Sequence, residues 1–216
     1  PTPTIRPRAE IVTAGLSSGQ RVVVDAPSLE GSISLMGARI DDVSLKNFYE
    51  TIDDKEKQNP AGEIKLLAPA GTERAFYATV AWTTPTSTTD GVLWTQTSTG
   101  ALTIDNPLKL SYSAASVRID RTITVDRDYM FTLSDVVTNT GATPITLTQK
   151  AQLRQRQTPD LVTTPHSETG AHRGALAPTT TAATATGTSQ IHRPLNRSTV
   201  PIAITPFLIR TLLARA

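Results

Sequence analysis

Chemistry in this chain would have to come from its paired carboxylates, its histidines, or an arginine set among apolar neighbours. Asp41-Asp42, Asp53-Asp54 and Asp126-x-Asp128 are acidic pairs, and paired carboxylates can cleave glycosides or hold calcium. Neighbours in a strand point to opposite faces, however, and Asp-x-Asp is common turn composition, so each pair reads first as structure. Calcium at the Asp126 turn is the sharper alternative. His166, His172 and His192 are the three histidines, with Glu168 between the first two. A metal needs ligands held by a rigid outer shell, which their surroundings do not offer, so they read as solvated loop residues.

Other catalytic arrangements lack either their residues or their context. There is no cysteine, hence no disulfide framework, no thiolate zinc site and no cysteine nucleophile. No Gly-x-Ser-x-Gly elbow is present to expose a serine. Gly15-Leu16-Ser17-Ser18-Gly19 lacks the lysine of a phosphate-binding loop. No catalytic, metal-binding or cofactor-binding residue is therefore assigned, and the chain reads as a non-enzyme without a cofactor.

Arg121 is more informative. Val117, Ile119, Ile123 and Val125 share its strand face, while Arg118, Asp120, Thr122 and Thr124 share the other. An unpaired guanidinium is costly to bury, so Arg121 requires an acidic partner or a place at the sheet rim. Trp82, Trp94, Tyr77 and Tyr112 could line a carbohydrate or peptide groove, although scattered aromatics in a strand-rich chain more often pack the core. Asn196-Arg197-Ser198 matches a glycosylation sequon of low specificity.

The elements that must position these residues are strands. Leu29, Gly31, Ile33 and Leu35 alternate with Glu30, Ser32, Ser34 and Met36, which predicts a half-buried strand followed, across Gly37, by a hairpin or bulged strand through Ile40, Val43 and Leu45. Residues 46–62 are polar and read as a solvated loop with at most one helical turn. Short strands are predicted at 63–68, 76–82, 92–94, 101–104 and 108–113. The alternation over 117–153, broken at Asp126-Arg127-Asp128 and at 139–144, predicts three consecutive strands in an antiparallel meander. No sustained helical period precedes Pro206, which argues against a parallel βαβ sheet and for an all-β fold class.

The ends differ from the middle. Residues 1–20, with Pro1, Pro3, Pro7, Gly15, Ser17, Ser18 and Gly19, read as a Pro/Gly/Ser linker, and the fold is expected to start near Arg21. Residues 178–188 are mostly threonine and alanine, too poor in large side chains to offset the entropy of ordering them, so a disordered low-complexity tail is expected over 175–216. Residues 206–216 could form a short helix, marginal on its own. The first 150 residues carry 14 Lys+Arg against 17 Asp+Glu, a balance of −3, and residues 151–216 carry 7 against 2, a balance of +5. The basic tail has one aromatic, Phe207, which argues against a nucleic-acid surface. The longest nearly apolar run, 200–209, is about half a membrane span and is broken by Pro201 and Pro206. The opening Pro1-Thr2-Pro3-Thr4 carries no charged or apolar targeting segment.

Two blocks of the sequence carry a resemblance. The first is Arg21-Val22-Val23-Val24-Asp25-Ala26-Pro27-Ser28-Leu29, then Gly31-Ser32-Ile33-Ser34-Leu35, Gly37-Ala38-Arg39-Ile40-Asp41-Asp42-Val43-Ser44-Leu45-Lys46 and Tyr49-Glu50-Thr51. The second is Arg121-Thr122-Ile123-Thr124-Val125-Asp126, Tyr129-Met130-Phe131-Thr132 and Asp135-Val136-Val137-Thr138-Asn139-Thr140-Gly141. In this order they resemble the periplasmic domain of the YidC/Oxa family of membrane protein insertases, in its alphaproteobacterial form. The resemblance implies an antiparallel β-supersandwich over 21–174, similar in architecture to sugar-binding and mutarotase-like domains. It further implies a periplasm-facing domain of the bacterial inner membrane, behind an anchor and a linker, with membrane protein substrates and Sec translocon components as partners. The family's transmembrane insertase core is not expected in this chain, and the resemblance is expected to end near Gly174. A carbohydrate-binding or mutarotase-like domain using Trp82 or Trp94 as a stacking platform is the alternative, and a plain spacer between anchor and core is another.

Overall fold

The computed structural model describes residues 4–114, 116–143 and 145–156, and the backbone of 181–191 and 196–200. Two antiparallel sheets face one another across a single apolar core. The first has seven strands: β1 (Arg21–Asp25), β2 (Leu29–Ser34), β3 (Arg39–Tyr49), β5 (Phe76–Thr83), β10 (Ile145–Gln155) and β11 (Thr181–Ile191) in that order, with β4 (Glu63–Leu67) paired on β3. The second runs β12 (Asn196–Val200), β9 (Phe131–Asn139), β8 (Val117–Val125), β7 (Leu108–Ala114) and β6 (Thr95–Gln96).

Period-two alternation builds the core directly. In β9 Phe131, Leu133, Asp135, Val137 and Asn139 are buried and the residues between are partly exposed. Ile119, Arg121, Ile123 and Val125 of β8 lie beside them, with Leu108 and Leu110 of β7. Val24, Leu29, Ile33, Ile40, Val43, Leu45, Val80, Trp82 and Leu147 meet them from the first sheet. The predicted strands at 63–68, 76–82 and 108–113 are present as β4, β5 and β7. Those at 92–94 and 101–104 shrink to the single bridges Met36↔Leu93 and Val24↔Leu102, which tie the loops of one sheet onto the other.

Two expectations change. The meander of 117–153 is split: β7, β8 and β9 form it, but β10 crosses to the first sheet and pairs with β5 from Thr148↔Thr83 to Gln155↔Phe76. Alternation identifies a strand but not its sheet, because strands of both sheets bury one face in the same core. Within the region read as linker, Arg8–Ser17 form a helix, α1. Pro7 precedes it at φ −56°, Glu10 lies in its first turn, and Gly19 at φ +68° ends it, the signals of helix entry and exit that proline and glycine also supply. Within the low-complexity region, the backbone of Thr181–Ile191 pairs with β10 from Gln155↔Thr181 to Ile145↔Ile191, and Asn196–Val200 pairs with β9. Threonine suits a pleated strand. The remaining tail lies outside the described residues, with the short helix considered for 206–216 and all three histidines.

The polar run after β3 holds α2 (Ile52–Lys57), the anticipated helical turn. β2 and β3 form the expected hairpin, and it is also bulged: Ser32 pairs with Asp42 but Ile33 pairs with Ile40, so Asp41 is the inserted residue. Gly31 makes this possible. Its φ is +148°, and a Cβ there would lie 2.0 Å from the carbonyl oxygen of Asp42, so no side chain fits without moving β3. Gly31→Ala should lower stability by roughly 3 kcal/mol or more through this backbone clash, read from urea denaturation. A loss under about 1 kcal/mol would show that the bulge can shift to admit a methyl group.

Candidate functional site

Arg121 and Asp135 are direct cross-strand partners on β8 and β9. Because both occupy inward positions, the guanidinium and carboxylate meet inside the core as a two-point fork: Arg121 Nε donates to Asp135 Oδ1 at 2.7 Å and Nη2 donates to Oδ2 at 2.7 Å. Their side chains are 0% and 2% exposed. Arg121 Nη1 donates to the Val80 carbonyl at 2.9 Å, Trp82 Nε1 donates to Asp135 Oδ2 at 2.7 Å, and Gln149 Nε2 reaches the same oxygen at 3.4 Å. The Arg121 carbon Cζ lies 4.8 Å from the centroid of the Trp94 ring. A pair carried by the second sheet is thus bonded to β5 and β10 of the first. The acidic partner required by Arg121 is Asp135, and a rim position is not needed. Its signal was available, since Asp135 falls between Leu133 and Val137 in the alternation of β9.

The tryptophans are consumed by this arrangement. Trp82 and Trp94 are 2% and 1% exposed, so neither offers the open face on which a sugar would stack. Tyr112 packs on Trp94 with centroids 5.6 Å apart, and Tyr77 lies on the outer face of the first sheet, beneath Arg39.

Above the pair the sandwich opens. A cleft of about 360 Å³ lies between the end of β5 and the following loop (Trp82, Pro85, Thr89), the end of β7 (Tyr112, Ala114), the start of β8 (Val117, Ile119) and the start of β10 (Ile145, Leu147). Its lining is mostly apolar, and its size is within the range of small-ligand pockets. β6 pairs with β7 only at Thr95↔Ser111 and Gln96↔Leu110, so the end of β7 beside the cleft has no strand on its outer side among the described residues. An apolar cleft next to an open strand edge can take an extended peptide, the edge bonding its main chain and the cleft accepting a side chain.

The acidic pairs are tied into structure. At Asp41-Asp42 the bulge defeats the rule that neighbours face opposite ways, and both carboxylates join one buried polar cluster. Asp41 pairs with Arg21, and Asp42 Oδ2 accepts from Ser32 Oγ at 2.6 Å. Arg8 of α1 approaches Asp42 at 2.5 Å, without hydrogen-bond alignment, and donates to Ser44 Oγ at 3.2 Å. Burial pushes the Asp41 carboxyl above the usual carboxylate range, against the opposing pull of Arg21 and Arg39. Asp53 pairs with Lys57 one turn on, at 2.7 Å. Asp54 is held below the usual range by hydrogen bonds from Thr51 and Asn59. In the Asp126 turn, Oδ1 accepts from the backbone N–H of Asp128 and of Met130 at 2.8 and 2.9 Å, so turn closure accounts for this carboxylate. No cluster of three or more His, Asp or Glu able to hold a metal occurs among the described residues.

Comparison with known proteins decides the family. The profile of the YidC periplasmic domain matches residues 21–193. This chain belongs to the YidC periplasmic domain family. Its alphaproteobacterial relatives include the membrane protein insertases YidC of Maricaulis maris, 41% identical over 67% of this chain and 24% of the relative, and of Nitrobacter hamburgensis, 41% identical over 70% and 26%. That of Methylobacterium radiotolerans is 42% identical over 62% and 21%. The chain spans about a quarter of the length of these relatives. The YidC-domain match contains the Arg121–Asp135 pair and the cleft, begins with β1, and runs past Gly174 to take in the backbone of β11.

Two outcomes test this site. Asp135→Ala, which strands a buried guanidinium, should cost about 3–5 kcal/mol, whereas Arg121→Met combined with Asp135→Leu should cost distinctly less. Urea denaturation of both variants checks this, and equal losses would show that the ion pair itself, rather than its completeness, is what the core needs. Asp41 keeps its proton to higher pH in the folded than in the unfolded chain. Its contribution to stability is therefore full below about 3.8 and is lost as pH rises through the folded value. The stability of the wild type relative to Asp41→Asn should accordingly fall as pH rises above about 3.8. A relative stability that rises with pH there would reverse the assignment.

Proposed function

We propose that this chain is the periplasmic domain of an inner-membrane protein insertase and assists insertion and folding of membrane proteins through protein–protein contacts. Family membership over residues 21–193 supports the setting, and the names of the relatives support the activity of the longer protein. The observation that carries the mode of action is the apolar cleft beside the open end of β7. Main-chain pairing to an edge tolerates any sequence, and one apolar cleft favours any hydrophobic side chain. Together they suit transient holding of segments destined for a bilayer. On this reading the domain is not an enzyme, its partners are substrate membrane proteins and components of the Sec translocon, and the full-length form is anchored in the inner membrane with this domain in the periplasm.

The experiment places a photo-crosslinking residue at Ala114 on the cleft rim, and separately at the exposed Ile52 on α2, in a full-length insertase carrying this domain. Ala114 should capture an inner-membrane protein during insertion, Ile52 should not, and a cleft filled by Val117→Trp should reduce capture by about fivefold or more. Insertion that proceeds unchanged after deletion of the whole domain, without capture at either position, would favour a plain spacer.

A further inference from the structure

Arg39 opens β3 on the outer face of the first sheet, away from the core, and its guanidinium is poorly accounted for. Its Nε is buried and has no hydrogen-bond partner among the described residues. Among the described residues no carboxylate lies within ion-pair distance of it, and the nearby Asp41 is paired with Arg21. The guanidinium rests instead over the ring of Tyr77, its carbon 5.6 Å from the centroid. A guanidinium held over a ring, without an ion-pair partner, keeps N–H donors to spare, and guanidinium groups recognise oxyanions through parallel hydrogen bonds.

The space beside it is bordered by α1 and open to solvent. A cavity of about 280 Å³ lies between this helix and the ends of β1, β2 and β3, lined by Arg39, Arg21, Asp41, Ser34 and Gln20 among others. Arg21 and Asp41 cancel, which leaves Arg39 as the uncompensated charge of the sheet wall. The Ser34 hydroxyl accepts from the Met36 N–H, so its own proton is available to a ligand. A pocket lined by an uncompensated guanidinium and a hydroxyl with its proton to give favours an anion over water.

We propose that this cavity binds a small oxyanion, a carboxylate or phosphate group, through Arg39, with Ser34 as a second donor. The site lies on the face opposite the core, and it does not depend on the peptide-holding role of the cleft.

The test follows thermal unfolding of the full 216-residue chain with sodium phosphate, with sodium acetate, and with phosphatidylglycerol vesicles. Sodium chloride of matched ionic strength and phosphatidylcholine vesicles serve as references. Since Arg39 makes no hydrogen bond or ion pair among the described residues, Arg39→Met should fold normally, and Arg74→Met, an exposed arginine outside this cavity, controls for general charge. Saturable stabilisation by at least one probe is expected, with affinity reduced about tenfold or more in Arg39→Met and unchanged in Arg74→Met. The responding probe identifies the source, free phosphate, free carboxylate or lipid headgroup. No stabilisation beyond the chloride and phosphatidylcholine references, or an equal response in Arg39→Met, would overturn the proposal.

Discussion

The two sheets are held in register by a charge pair that neither could bury alone. Arg121 and Asp135 sit opposite one another on neighbouring strands of the second sheet, yet their remaining hydrogen bonds go to Val80, Trp82 and Gln149 of the first. Burying both ions is expensive, and the cost is offset only when the fork is aligned and the spare donors and acceptors are met. Sliding one sheet by a residue would break the fork's outer bonds and leave polar atoms stranded. The aliphatic core around the pair tolerates many packings of similar volume. The pair does not, and it gives the sandwich one register.

Much of this was legible in the sequence. The alternation around Arg121 placed a guanidinium on an apolar face, and electrostatics then demanded an acid. Asp135 could have been named from the inward series Phe131, Leu133, Asp135, Val137. Other features were not legible because they depend on distant chain. The assignment of β10 to the first sheet rests on pairing with β5, and nothing in Ile145–Gln155 distinguishes one sheet from the other. The cleft is likewise a product of where four strand ends stop. Helix α1 was hidden by its composition: none of its residues is buried, so it lacks the apolar stripe by which a helix is recognised.

The Asp41-Asp42 pair shows how a single extra residue changes the meaning of a motif. In a regular strand one carboxylate would face the core and the other solvent, and neither would bear on its neighbour. The bulge brings both into one polar cluster with Arg21, Ser32, Ser44 and Arg8. The outer face of this sheet is therefore covered by a helix through ionic contacts, where a sandwich ordinarily leaves it to water.

The crossing of β10 into the first sheet also orders events in time. β1 through β5 are made early in the chain, but the edge of β5 finds its partner only when Thr148 to Gln155 are available, after the whole β7–β9 meander. Pairings of such sequence separation are slow to form because the loop between them must close first. A chain emerging from its N-terminus would thus hold a finished meander beside an unfinished sheet, with the edge of β5 open to any passing strand.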